Sequence, residues 1–171
     1  FWGRANGRIR LHQTFFDKGC QETNPGGWRL LKPMEGFIRW QVTKDGEWLP
    51  WVDANPASPL ETEQWYHLSV TRDEDGNLKI YINGELLGSS QADRFSVVVN
   101  DNTLKIGGIT LWGNNMFIGI LDDLVIYKGK SLSSDEIQSA MEGIAPHALE
   151  PLSRLGSTWG NIKTKKFPKT R

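Results

Sequence analysis

The stretch Gln64–Gly84, QWYHLSVTRDEDGNLKIYING, decides the fold class of this chain. Apolar residues recur at every second position in Tyr66, Leu68 and Val70, and again in Leu78, Ile80 and Ile82. A period of two belongs to a half-buried β-strand, whose successive side chains point to opposite faces. Between the runs, Asp73-Glu74-Asp75-Gly76-Asn77 supplies turn chemistry, with Gly76 or Asn77 able to take positive φ. Asn83-Gly84 repeats the strongest short-range hairpin signal. The stretch is therefore expected to form the centre of an antiparallel meander on which the other strands pack.

Upstream, strands are expected at Gly7–Phe16, Trp28–Leu31, Gly36–Thr43 and Glu47–Asp53, the last at a sheet edge because Pro50 lacks a ladder donor. Downstream, the pattern predicts strands at Glu85–Gly88, Arg94–Val99, Thr103–Gly108 and Met116–Tyr127, the last being the longest apolar run. Its apolar parity changes between Leu121 and Leu124, so a β-bulge at Asp122-Asp123 would keep both leucines inward. Ser133 with Glu136 makes a capping box. Ile137, Ala140, Met141 and Ile144 then share one helical face, which Gly143 and Pro146 end. The reading is all-β: a two-sheet antiparallel β-sandwich with one short C-terminal capping helix. It assigns residues 1–144 to one domain and 145–171 to a basic, proline-containing tail or linker.

Composition narrows the function classes. The chain has 171 residues, enough for one domain with a real core. Its 20 basic and 20 acidic side chains cancel, so no global field draws in nucleic acid or anionic lipid. The lysines and arginine of residues 161–171 leave the preceding body mildly acidic. A single cysteine, Cys20, excludes an internal disulfide and a cysteine-based zinc site. No apolar run approaches the roughly 18 residues that span a bilayer, and no signal-peptide pattern is seen. The opening Phe1-Trp2-Gly3 reads as the start of a piece excised from a longer polypeptide.

These segments resemble laminin-G-like domains of the concanavalin A-like lectin/glucanase superfamily. The resemblance rests on Trp65–Thr71, Leu78–Gly84, Leu104–Gly108, Phe117–Tyr127 and Leu132–Ile137 in that order, and covers about Phe1 to Glu142. It implies a jelly roll whose first strands precede Phe1. It also implies an extracellular or cell-surface binding module, acting on carbohydrate or an extracellular protein beside other domains of its parent chain. Leu155–Lys163 looks like short tails that follow such domains in some bacterial proteins. Fold alone does not choose the ligand.

Glycoside hydrolases on this fold place two glutamates and an aspartate at alternate strand positions, so that two carboxylates flank one sugar bond. The comparable strand here offers only the adjacent Asp122 and Asp123, whose side chains leave a regular strand on opposite faces. His12, His67 and His147 are scattered, and His67 reads as a structural histidine within the sandwich. A non-catalytic module is expected; a spacer domain, or a fragment of a glycan-active enzyme, is the alternative. The acidic turn at Asp73–Asn77 does not fit a helix-loop-helix calcium site. Ile109–Asn115 lacks the carboxylates that pentraxins gather in that loop. One Ca2+ held by Asp122 or Asp101 with backbone carbonyls is the remaining metal candidate. It is set against an Asp122 that merely accepts backbone N–H groups. For a sugar, Trp112 offers a stacking ring and Asn100, Asp101, Asn114 and Asn115 offer hydrogen bonds. Trp48 and Trp51 are expected on opposite faces of their strand, and Trp28, Trp40 and Trp65 in the core.

Overall fold

A computed structural model describes residues 1–5, 12–19, 26–33, 36–44, 47–56, 60–91, 101–108 and 115–143. The meander forms as the alternation requires. Strand β7 (Trp65–Arg72) pairs antiparallel with β8 (Asn77–Ile82), placing Leu68 opposite Ile82 and Val70 opposite Ile80. Leu68, Leu78, Ile80 and Ile82 are each at most 4% exposed, and Tyr66 and Val70 pack beside them. Gly76 takes the positive φ of the first turn. Asn83 (φ 50°) and Gly84 (φ 79°) take the left-handed pair that a two-residue hairpin needs. They lead into β9 (Glu85–Gln91).

The five-stranded sheet is completed by β1 (Trp2–Ala5) and β11 (Gly119–Asp122), in the order β11-β1-β7-β8-β9. Opposite lies a six-stranded sheet. Its path is β10 (Lys105–Ile106), β2 (Gln13–Lys18), β3 (Gly26–Lys32), β4 (Ile38–Lys44) and β5 (Glu47–Trp48), with β6 (Val52–Ala54) also on β4. Phe15, Phe16, Leu30, Ile38, Trp40, Val42 and Val52 meet the meander leucines and isoleucines in one core. Burying each such side chain is worth about 1.5–3 kcal/mol before chain entropy is charged. Near one edge β9 closes on β6 through Gly88, where a Cβ would fall 2.4 Å from the Asp53 carbonyl oxygen.

Several boundaries differ from the sequence reading. The run Glu47–Asp53 is two short strands, not one, because Pro50 breaks the ladder; both halves pair with β4, the edge placement expected. The long strand expected at Met116–Tyr127 shortens to Gly119–Asp122. Its ladder partner β1 has only four residues, and Asp123 turns out of the ladder at φ 52°. That left-handed residue, rather than a ladder bulge, resets the parity, so Leu121 and Leu124 both pack on the core. The strand expected at Thr103–Gly108 retains two ladder residues. Residues 6–11, and with them the first half of the run expected at Gly7–Phe16, lie outside the described residues, as do Arg94–Val99 and 144–171.

The helix α1 (Ser134–Met141) carries the expected reciprocal capping box: Glu136 N–H donates to Ser133 Oγ, and Ser133 N–H donates to Glu136 Oε2. Ile137 is 1% exposed. Gln138 rests against Gly84, so the helix docks on the Asn83-Gly84 turn.

Candidate functional site: the outward face of the six-stranded sheet

Alternation along β4 sends Ile38, Trp40 and Val42 into the core and Arg39, Gln41 and Thr43 to the other face, where Arg39 is half-buried and Gln41 and Thr43 are covered. The ladders then set partners beside the outward residues: Arg29 of β3 opposite Gln41, Asp53 of β6 opposite Arg39, and Trp48 of β5 opposite Thr43. Arg39 donates from Nε and Nη2 to the two Asp53 carboxylate oxygens at 2.7 and 2.8 Å. Its guanidinium carbon also stands 4.8 Å from the Trp51 ring centroid and 4.9 Å from that of Phe37. Arg29 repeats the motif, with Nε donating to Gln41 Oε1 at 2.7 Å and its guanidinium 4.6 Å over Trp48.

Each contact is modest: a cation–π pair is worth about 0.5–1 kcal/mol at exposed sites, and a part-buried bidentate ion pair such as Arg39–Asp53 about 1–2 kcal/mol. Together they hold three aromatic rings and two planar guanidiniums in one orientation. Trp51 remains 45% exposed, so its ring is reachable from solvent. The expectation that Trp48 and Trp51 face opposite ways is corrected here. With the strand broken between them, simple alternation no longer applies, and arginines on one sheet face stack on both.

Trp40 is buried and Trp28 packs on the core, their ring centroids 5.5 Å apart. Trp65, expected in the core, is 38% exposed: it stands opposite Arg4 in the ladder, outside the sandwich. His67 is buried as a structural group. Its Nδ1 lies 3.5 Å from Ser69 Oγ, its ring meets Trp2 edge-on at 5.2 Å, and its backbone N–H donates to Asn83 Oδ1. Burial first, and the nearby chain amino group second, lower its pKa from 6.5 to about 4.

Of the residues expected to bind a ligand, Trp112, Asn114 and Asn100 lie outside the described residues. Asn115 offers its carbonyl to the Thr14 N–H, and Asp101 is exposed ahead of β10. Of the metal candidates, Asp122 accepts the Asp123 N–H through Oδ1 at 2.9 Å. Among the described residues no three His, Cys, Asp or Glu side chains gather into a metal-sized group.

The sequence reading missed Arg29, Arg39, Gln41 and Asp53. A usable signal was present in β4, where three polar residues alternate with three core residues in a strand assigned to the sandwich. What could not be read was which residues of the neighbouring strands stand beside them.

Two antiparallel sheets packed around one apolar core, with a rigid aromatic and polar face turned outward, define a lectin-like sandwich. The chain belongs to the concanavalin A-like lectin/glucanases superfamily: the profile of its laminin-G family matches residues 1–138. No curated protein matches the chain. Among solved structures, the carbohydrate-binding module (CBM40) of the Ruminococcus gnavus IT-sialidase, bound to α2,3-sialyllactose, is 19% identical with a TM-score of 0.60. That alignment covers 81% of this chain and 78% of that one. A heptameric SAP-like pentraxin of Limulus polyphemus is 16% identical with a TM-score of 0.56, over 81% and 67% of the two chains. A candidate carbohydrate-binding protein of Bacteroides ovatus is 20% identical with a TM-score of 0.52. There 69% of this chain aligns to 33% of the other, so this chain spans about a third of that protein's length. At such identities the likeness is one of fold. Among the described residues no helix is long and apolar enough to cross a membrane.

Proposed function

We propose that this chain is a non-catalytic carbohydrate-binding module of a larger secreted or surface protein, and that the sugar rests on the outward face of the six-stranded sheet. The observation that carries the reading is Trp51, 45% exposed beside an Arg39 clamped by both oxygens of Asp53. Apolar faces of a pyranose stack on an aromatic ring, while fixed polar groups at its rim meet the hydroxyls. Holding the ring and the guanidinium in place beforehand reduces the ordering cost of binding. The carbohydrate-binding names of the Ruminococcus and Bacteroides structures support the ligand class.

A glycan array probed with the wild-type chain, Trp51→Ala and Trp112→Ala tests this. Loss of signal with Trp51→Ala alone supports the sheet face. Loss with Trp112→Ala alone moves the site to the loop of Trp112, Asn114 and Asn115. No glycan bound by the wild-type chain refutes carbohydrate and leaves a protein partner. A single calcium ion at Asp122 or Asp101 is a separate proposal. An ion held only by the native state raises the melting temperature in calcium over that in chelator, and equal melts sink it.

A further inference from the structure

Between the two sheets, away from the outward face, lies a cavity of about 180 Å³. Its walls come from both layers: Phe15 on β2, Phe117 ahead of β11, Tyr66 and Leu68 on β7, and Leu60 in the preceding loop. The rings of Phe15 and Phe117 stand 5.0 Å apart. One charged side chain from the strands lines it, Lys32 at the end of β3, which is 9% exposed and has no hydrogen-bond or ion-pair partner among the described residues. Its ladder neighbour is Gln13, 1% exposed, whose Oε1 is buried without a partner. Residues opposite one another in an antiparallel pair put their side chains on the same face, so the unpaired Lys32 ammonium and the buried, unpartnered Gln13 oxygen belong to neighbouring side chains.

A buried oxygen such as Gln13 Oε1 costs free energy when left unmet, and an ammonium without a counter-ion at the mouth of an apolar cavity leaves room for an anionic partner. Burial pushes the Lys32 pKa below its ordinary value, as expected of an ammonium facing aromatic walls without a counter-ion. Glu61 also lines the cavity, but its residue is exposed and makes no ion pair with Lys32. A void of this size matches a single aromatic ring, since an engineered apolar cavity of roughly 150 Å³ binds benzene.

We propose that this cavity is a binding site for a small apolar monocarboxylate, aromatic or short aliphatic, whose carboxylate pairs with Lys32 while its hydrocarbon part fills the space between Phe15, Phe117 and Tyr66. The site is independent of the sheet face and does not rest on the carbohydrate reading.

Benzoate is the probe, with neutral benzyl alcohol as its control. Calorimetric titration of the whole chain is compared with Lys32→Met, which keeps the volume and removes the charge, and with Phe117→Trp, which fills the cavity and keeps the charge. The expected result is saturable benzoate binding with a shift of the Phe15 and Phe117 ring resonances. Lys32→Met weakens benzoate by at least about tenfold and leaves benzyl alcohol unchanged, while Phe117→Trp abolishes both. The proposal is overturned if the wild-type chain shows no saturable benzoate binding, or if Lys32→Met binds it as tightly. Should Lys32→Met fail to fold, undiminished benzoate binding by Phe117→Trp overturns it equally.

Discussion

Acid should weaken this fold through His67. The imidazole is 5% exposed between Trp2 and Ser69, and burial with the adjacent chain amino group brings its pKa from 6.5 down to about 4. For a base, a lowered pKa means that the folded protein refuses a proton the unfolded chain accepts. Stability is therefore full above the unfolded value of 6.5, falls as the pH drops towards 4, and carries the whole penalty below 4. At 1.36 kcal/mol per pH unit, the difference is at most about 3 kcal/mol, and partial water access brings the expectation to about 2 kcal/mol. That is a large part of the roughly 5–15 kcal/mol that holds a typical domain folded. The substitution His67→Gln keeps a polar group near Ser69 and removes the titration. Urea unfolding followed by tryptophan fluorescence, from about pH 7.5 down to about pH 4, measures both proteins. Carboxylates common to the two cancel in the difference. The wild type should lose about 2 kcal/mol relative to His67→Gln across that window, and the His67 ring protons should titrate with a midpoint well below 6.5. A flat difference, or a midpoint near 6.5, would refute the assignment of a buried neutral imidazole.

Other perturbations test the packing and the face. Leu30→Ala, at a fully buried position, should cost about 2–5 kcal/mol by the same unfolding assay. Gly84→Ala puts a side chain at φ 79° and a Cβ 2.1 Å from Gln138 Nε2. It should cost about 1–3 kcal/mol, of which the added change Gln138→Ala restores only the part due to the clash. Asp53→Asn should cost about 1–2 kcal/mol and lower the melting temperature by a few degrees, because the bidentate pair is about a quarter exposed. Glycan binding should also weaken as Arg39 loses its fixed position.

The meander at Gln64–Gly84 and the capping box at Ser133–Glu136 could be read directly because their causes are local. Period-two alternation, a positive-φ turn pair and a reciprocal cap each involve residues a few positions apart. The same local logic misplaced Trp65, since alternation assigns a residue to a face without saying whether anything covers it. It also overextended Met116–Tyr127, because strand length is set by the partner β1 and by the turn at Asp123, not by apolarity. The clamp of Arg39 between Trp51, Phe37 and Asp53 needed the register of β4 on β6. The chamber around Lys32 needed both sheets, for Phe15 and Lys32 come from one layer and Tyr66 and Leu68 from the other. Faces and periods are properties of neighbouring residues and can be read along the chain. Sites made where strands distant in sequence meet depend on registers and layer packing, which global burial selects and no short stretch encodes.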